Sequence, residues 1–285
     1  METVLMALKS LLLGIVEGVT EFLPISSTGH MIIFENLIGF TSETPSYVDM
    51  YTYVIQLGAI LAVVFLYRRK IADTLVNFFP KKAGYEKSGL RFWLMIVIAC
   101  IPGFFCQILF DDVAEKYLFN PTSVAITLFV GGVLMIAAEK YLRKNRHSLD
   151  ENWSVNAKQA LVIGLFQCLA IIPGMSRSAS TIIGGWAAGL STVAAAEFSF
   201  FLAIPVMIGM SALKIIKIGG LSDLTPAEII SLIVGFVTAF GVAMVVVKRF
   251  IAFLKKKPMR VFAIYRMVFA VIVIIAGIFG LFSTI

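Results

Sequence analysis

Long apolar stretches separated by short polar segments follow one another along almost the whole chain. Six of them are continuous and bounded by charged residues or by Gly, Pro or Asn: roughly 48–67, 92–110, 123–141, 194–216, 227–247 and 261–283. A helix needs about 20 mainly apolar residues to cross the hydrocarbon core of a bilayer. The pattern therefore predicts six full transmembrane helices.

Two further apolar regions are each interrupted by a polar string. Residues 4–40 contain Pro-Ile-Ser-Ser-Thr-Gly-His at 24–30, and residues 157–190 contain Pro-Gly-Met-Ser-Arg-Ser-Ala-Ser-Thr at 173–181. Backbone that leaves the helix at membrane depth must be buried in protein or line a wet cavity, so we expect a re-entrant hairpin of two half-helices in each region. The predicted fold class is an all-α polytopic membrane protein, a single domain over residues 1–285.

Composition supports a membrane protein. The chain is 59% hydrophobic and 14% charged, with a mean hydropathy of +0.94, whereas soluble domains carry about 25% charged residues. The net charge of +7 would suit a nucleic-acid partner, but 18 of the 24 Lys and Arg residues lie in loops 68–91, 140–158 and 248–260. Short basic loops face the cytoplasm. We therefore expect no nucleic acid to bind.

The same charges orient the chain. With those three loops in the cytoplasm, the loop with Asp111, Asp112 and Glu115 lies outside, and both termini lie outside. The first hairpin then enters from the outside and the second from the cytoplasm. Each half has one hairpin and three spans. Because three is an odd number of crossings, the second half begins on the opposite side of the membrane and has the inverted orientation. We therefore predict inverted repeats, about 1–145 and 155–285, whose halves meet at the functional site.

Short sequence echoes support the repeat. They lie about half a chain length apart: Gly14-x-x-Glu17 with Gly164-x-x-Gln167, and Pro24-x-x-Ser27 with Pro173-x-x-Ser176.

Two acidic residues stand in the first hairpin. Glu17 and Glu21 are four residues apart, so a helix projects both carboxylates from one face. Ionisable groups within the membrane are costly and mark functional sites. The pair would be stabilised by a shared proton or by a divalent cation. A purely structural pair bonded to a neighbouring helix is the other interpretation.

Three hydroxyl residues open the next half-helix. Ser26, Ser27 and Thr28 follow Pro24, and a serine in this place is most often a helix N-cap. Three hydroxyls followed by His30 exceed what a cap needs. His30 could activate a hydroxyl or protonate a leaving oxygen. The other histidine, His147, lies in a basic loop and is expected to be solvated.

Arg177 is the basic residue of the second polar string, and it stands where a half-helix should begin. Helix N-termini favour phosphate, and a guanidinium offers a bidentate fork for phosphate oxygens. A structural ion pair with Glu17 or Glu21 is the alternative. For the embedded charges Asp49, Glu139, Glu197 and Arg266 we expect structural or interfacial roles. Together, the carboxylates, hydroxyl, histidine and anion cradle indicate phosphoryl chemistry on a lipid.

The strings EGVTEFLPISSTGH (17–30) and PGMSRSAST (173–181) resemble the two signature motifs of the undecaprenyl-diphosphate phosphatase family, also called the bacitracin-resistance protein family. The resemblance covers essentially the whole chain. It implies an enzyme that hydrolyses undecaprenyl diphosphate to undecaprenyl phosphate and inorganic phosphate, recycling the carrier for cell-wall synthesis and giving bacitracin resistance. It also implies a divalent cation, Mg²⁺ or Ca²⁺, and a place in the bacterial cell membrane with the active site open to the outer face.

The motif residues then give a hypothesis for the mechanism. We expect Ser27 to attack the terminal phosphorus and His30 or Glu21 to take its proton. Glu17 and Glu21 are expected to hold the metal or to polarise the nucleophile, and Arg177 to bind the phosphoryl group. The remaining residues are expected to bind substrate: Ser26, Thr28, Gly174, Ser176, Ser178 and Thr181. Direct attack by water stays open, with Ser27 then only a ligand.

A secondary transporter or lipid flippase with an anion-binding midplane site is the competing function, because inverted hairpins suit alternating access. A transporter needs binding groups but no nucleophile with a base, so Ser27 and His30 favour an enzyme. The sequence leaves the oligomeric state open, a homodimer included.

Overall fold

The computed structural model describes residues 2–44, 47–80, 84–143, 155–217 and 224–282, and within them every regular element is helical. His147 lies outside the described residues. Eleven α-helices are described: α1 (Glu2–Thr20), α2 (Ser27–Ile38), α3 (Tyr47–Leu66), α4 (Arg68–Val76), α5 (Gly89–Leu118), α6 (Pro121–Leu142), α7 (Ala157–Gln167), α8 (Arg177–Ala187), α9 (Thr192–Lys217), α10 (Pro226–Leu254) and α11 (Arg260–Ile278). Short 3₁₀ turns lie at Tyr85–Lys87 and Cys168–Ile171.

Seven of the described helices are long and apolar enough to cross a membrane: α1, α3, α5, α6, α9, α10 and α11. Six of them lie where full spans were predicted, so the all-helical, polytopic class is confirmed. The seventh, α1, is the first arm of the first predicted hairpin. Its 19 residues are about 28 Å long at 1.5 Å per residue, close to the thickness of the hydrocarbon core.

The helices are interrupted at both polar strings, as predicted. The first break is 21–26, between α1 and α2, and the second is 172–176, between the 3₁₀ turn after α7 and the start of α8. The last residues of each string form the first turn of the following helix. Ser26 and Ser176 are the N-caps of α2 and α8, with φ of 71° and 73°, and each hydroxyl accepts a hydrogen bond from the backbone N–H three residues later. This left-handed conformation is uncommon outside glycine.

The shared cap conformation corrects the register of one sequence echo. The sequence paired Ser27 with Ser176, whereas the structure pairs Ser26 with Ser176. Ser27 and Arg177 therefore hold equivalent places, each the first residue of its helix. The physical reason is that the cap is the residue at which the backbone enters the helix, and a serine match in the sequence does not identify that residue.

Glycines let α1 and α7 each approach another helix closely. A Cβ on Gly14 of α1 would lie 2.7 Å from the carbonyl oxygen of Gly235 in α10. A Cβ on Gly164 of α7 would lie 2.4 Å from the carbonyl oxygen of Ala99 in α5. Small residues permit such backbone approach between membrane helices. The two echoed glycines thus permit the same kind of close helix contact in α1 and in α7.

The distribution of side chains is that of a protein in lipid. Phe104, Phe105, Ile108 and Leu109 on α5 are 59–68% exposed, and an apolar surface of this kind suits contact with lipid. The serines and His30 of the two polar strings are buried instead, and Thr28 and Arg177 are half-buried. The polar interior lies where the two interruptions come together.

Candidate active site

A cavity of about 340 Å³ opens beside the two interruptions. The start of α2, α3, α5, the segment 167–177 and the second half of α9 enclose it. Its polar lining includes Glu21, Ser27 and Arg177, and its apolar lining includes Phe104 and Met210. The cavity therefore offers an amphiphilic ligand both a charged end and an apolar wall.

Glu21 bonds to residues of both polar strings. One carboxylate oxygen forms an ion pair with Nη2 of Arg177, and the other accepts a hydrogen bond of 2.5 Å from Oγ of Ser27. Nη1 of Arg177 donates to the carbonyl oxygen of Ser199 at 3.0 Å. The Glu21 and Arg177 side chains are only 3% and 10% exposed. A carboxylate in this place both orients a hydroxyl and holds a guanidinium.

Ser27 and Arg177 also share an electrostatic setting, because each is the first residue of a helix. The first N–H groups of a helix lack partners within that helix, and the helix dipole is positive at this end. Two helix N-termini and one guanidinium thus point to anion binding in this part of the cavity.

Four of the residues expected to bind substrate line the cavity: Ser26, Thr28, Gly174 and Ser176. Ser178 and Thr181 are not among its lining residues. Ser178 donates to the carbonyl oxygen of Leu23 at 2.8 Å, and the Thr181 hydroxyl lies 2.6 Å from that of Ser199. These two hydroxyls connect α8 to the residue before the first polar string and to α9.

His30 does not contact Ser27, although the sequence placed it beside the nucleophile. Its Nδ1 lies 2.7 Å from the carbonyl oxygen of Ser26, and its Nε2 lies 3.0 Å from the hydroxyl of Tyr265. The ring stacks on Phe269 with centroids 4.4 Å apart. Both nitrogens are therefore engaged away from the cavity, because the side chain folds back over the first turn of α2 toward α11.

Glu17 is fully buried and does not line the cavity. Neither of its carboxylate oxygens has a hydrogen-bond partner in the part of the chain that the structure describes. Glu21 and Arg177 are among its charged neighbours. Within the described ranges, no group of three His, Cys, Asp or Glu side chains converges as a metal site. Glu17 with Glu21 is thus a pair of carboxylates that needs further ligands to hold a cation.

Arg266 connects the two polar strings from α11. It is fully buried, and its guanidinium donates to the carbonyl oxygens of Pro24 at 3.4 Å, Gly174 at 2.7 Å and Met175 at 3.1 Å. A structural role was expected, but nothing in the sequence indicated that it bonds to both polar strings. The signal in the sequence that could have indicated this role is that Arg266 is a single charged residue within an apolar span.

The chain matches the family model described as "Bacitracin resistance protein BacA" over residues 10–272. It is 67% identical to an undecaprenyl-diphosphatase of Ruminiclostridium cellulolyticum over 99% of this chain and 100% of that protein. It is 52% identical to the undecaprenyl-diphosphatase of Clostridium tetani over 96% of this chain and 98% of that one. It is 50% identical to the undecaprenyl-diphosphatase of Clostridium novyi over 99% of this chain and 100% of that protein. With both motifs meeting in one buried cavity, the chain belongs to the BacA family of bacitracin resistance proteins.

Proposed function

We propose that the protein is a multi-pass enzyme of the bacterial cell membrane that hydrolyses undecaprenyl diphosphate to undecaprenyl phosphate and inorganic phosphate. This reaction recycles the lipid carrier for cell-wall synthesis and gives bacitracin resistance. Family membership and the names of the relatives support it. The observation that carries it is the Ser27–Glu21–Arg177 arrangement in a cavity with an apolar wall.

The attack follows from the hydrogen bond between Ser27 and Glu21. As Oγ of Ser27 bonds to the terminal phosphorus, its proton passes to the carboxylate of Glu21. The bond from the terminal phosphorus to the bridging oxygen breaks, and undecaprenyl phosphate leaves. Water then hydrolyses the phosphoserine. Between the two bases expected from the sequence, this geometry favours Glu21 over His30. In the competing route water attacks directly, and Ser27 binds the phosphoryl oxygens.

Arg177 supplies the positive charge for the transferred phosphoryl group. One edge of its guanidinium pairs with Glu21, and Nη1 donates to a backbone carbonyl, so its plane is held in place before substrate arrives. Preorganised donors of this kind stabilise the charge that develops in phosphoryl transfer. The N-terminal amides of α2 and α8 add donors on the same side.

We also propose a divalent cation, Mg²⁺ or Ca²⁺, held by Glu17 and Glu21. The fit rests on the unpartnered buried oxygens of Glu17, one helical turn from Glu21. Mg²⁺ is commonly bound by one or two carboxylates together with substrate phosphates. When bound, the cation neutralises part of the diphosphate charge.

The architecture that we propose is an inverted repeat of residues 1–145 and 155–285 with two re-entrant hairpins. The equivalent caps Ser26 and Ser176 support it, as do the equivalent glycine contacts of α1 with α10 and of α7 with α5. The cavity lining extends to Asp111 and Leu213, near the loop predicted to lie outside. This supports an active site that opens to the outer face.

The decisive experiment measures phosphate release from a long-chain prenyl diphosphate by the purified protein in detergent, with and without a chelator. We expect release by the wild type, loss on chelation and recovery with Mg²⁺ or Ca²⁺. Release without any effect of the chelator would refute the cation. Binding without release would instead favour the transporter or flippase. The molecular mass of the same detergent sample tests for a homodimer.

A further inference from the structure

Two glutamines in the cavity have no part in the chemistry described so far. Gln56 of α3 and Gln167 of α7 both line the cavity and are only 2% and 6% exposed. The Oε1 atom of each is buried without a hydrogen-bond partner among the described residues. A buried amide oxygen without a hydrogen-bond partner is costly. A glutamine amide can turn over about its Cγ–Cδ bond, so that either its oxygen or its N–H group faces a ligand. Two such amides in one cavity indicate a ligand that bonds to them.

The cavity lining contains few charged groups that could bind this ligand. The described lining has Arg177 as its cation and the carboxylates Glu21 and Asp111 as its anions. A lipid diphosphate has more oxygens than Arg177 and the helix N-termini can bind at the terminal phosphate. Amide N–H groups donate to phosphate oxygens without adding charge.

The position of Gln167 indicates which phosphate the amides would contact. Its Nε2 lies over Gly103 of α5, so closely that a Cβ on Gly103 would be 2.6 Å away. The next residue of α5, Phe104, lines the cavity and is 60% exposed on the lipid-facing surface. The prenyl chain must reach the cavity along an apolar wall of this kind. The phosphate attached to that chain then lies nearer to this wall than the terminal phosphate does.

We propose that Gln56 and Gln167 bind the inner phosphate of the lipid diphosphate, which stays on the prenyl chain when the terminal phosphate is transferred. The inference rests on the proposed function. When the bond to the bridging oxygen breaks, its electron pair goes to the inner phosphate, which gains negative charge. His30 does not lie in the cavity to protonate that oxygen. Amide donors stabilise the leaving group in its place.

The test uses Gln56→Met and Gln167→Met, which keep an unbranched side chain of similar length. Inhibition by the product-like prenyl monophosphate should weaken about 10-fold or more in each variant, and kcat/KM for prenyl diphosphate should fall by a similar factor. Orthovanadate, a small mimic of the transferred phosphoryl group, should inhibit as in the wild type. Gln107→Met is the matched control, because Gln107 lines the same cavity but already donates to Asp111.

Thermal unfolding of the ligand-free protein separates this role from a structural one. Replacing an amide that lacks a partner should leave Tm unchanged or higher. Unchanged inhibition by prenyl monophosphate would overturn the inference, as would an equal loss of orthovanadate inhibition. If Met prevents folding at either position, Gln→Leu is used with the same readouts. If the wild type releases no phosphate, the proposed function fails, and direct binding of prenyl monophosphate still tests the glutamines.

Discussion

Glu21 holds both of its partners at once, since Ser27 and Arg177 bond to different oxygens of one carboxylate. Glu17, one turn earlier, bonds to neither. We therefore expect Glu21→Gln to lower kcat by about 10²–10⁴-fold, the range for a lost general base. Glu17→Gln should lower it less than about tenfold, because the Glu17 oxygens bond to neither partner and the amide oxygen of Gln can still serve as a cation ligand. Steady-state phosphate release measures both. Equal losses would mean that both carboxylates are required metal ligands.

Arg177→Lys keeps the charge but not the planar fork. The guanidinium contacts Glu21 and the Ser199 carbonyl through different nitrogens, and one ammonium cannot reproduce that spread while binding phosphate. We expect a loss of about 2 kcal/mol in transition-state stabilisation, or roughly 30-fold in kcat/KM. Steady-state kinetics on the variant purified in detergent measure this loss, and an unchanged Tm shows that the variant is folded. Activity near that of the wild type would remove Arg177 from the phosphoryl site.

Ser27→Ala separates the two routes of attack. If Ser27 is the nucleophile, the variant loses the first step, and its effect is not additive with Glu21→Gln because the pair acts as one unit. Acid quenching during a single turnover should then trap phosphoserine at Ser27, identified by mass spectrometry. Substantial turnover by Ser27→Ala without any trapped phosphoserine would establish attack by water. Thr28→Ala, which removes a neighbouring hydroxyl from the same cavity, is the control.

At the scale of helices, close packing of α1 on α10 sets where Glu17 and Glu21 lie. Gly14→Ala would place a methyl group 2.7 Å from a backbone oxygen of α10, which cannot move as a side-chain end can. We expect a loss of about 1–3 kcal/mol, the usual cost of overpacking. Thermal unfolding in detergent measures it.

Gly241→Ala on α10 is the matched control, because a Cβ there meets nothing within 4 Å. It should leave stability unchanged or raise it by up to about 1 kcal/mol through helix propensity. Equal behaviour of the two variants would show that α1 does not need the close approach.

At the scale of the whole molecule, Arg266 connects the two polar strings by donating hydrogen bonds to carbonyl oxygens of both. In Arg266→Lys a single ammonium group replaces the two guanidinium nitrogens that donate to the two strings. The carbonyl oxygens of one string then lose their hydrogen-bond donor. We expect kcat to fall about tenfold or more and Tm to fall as well, since a buried carbonyl without a donor costs about 1–3 kcal/mol. Arg260→Lys, at the exposed start of α11, is the control. A lower Tm with unchanged kcat would limit Arg266 to stability.

The helices and the residues of the two polar strings could be predicted because their signals are local. Apolar length and loop charge identified six of the seven candidate spans. The helix breaks at 21–26 and 172–176 fall where the sequence has residues that cannot continue a lipid-facing helix. Glu21, Ser27 and Arg177 were predicted from residue type and position alone. No step in those predictions depends on which helices become neighbours.

Only the tertiary structure decided which groups the buried polar side chains bond to. His30 lies three residues after Ser27, yet its ring bonds to Tyr265, 235 residues away, rather than to the nucleophile. Arg266 reaches both strings, and Gln56 and Gln167 meet in one cavity, only because α3, α7 and α11 pack around them. Sequence pattern determines which segments become helices, since that depends on contacts within a few turns and on the lipid. Which polar atoms bond inside depends on the relative rotation of distant helices, and only their packing sets that.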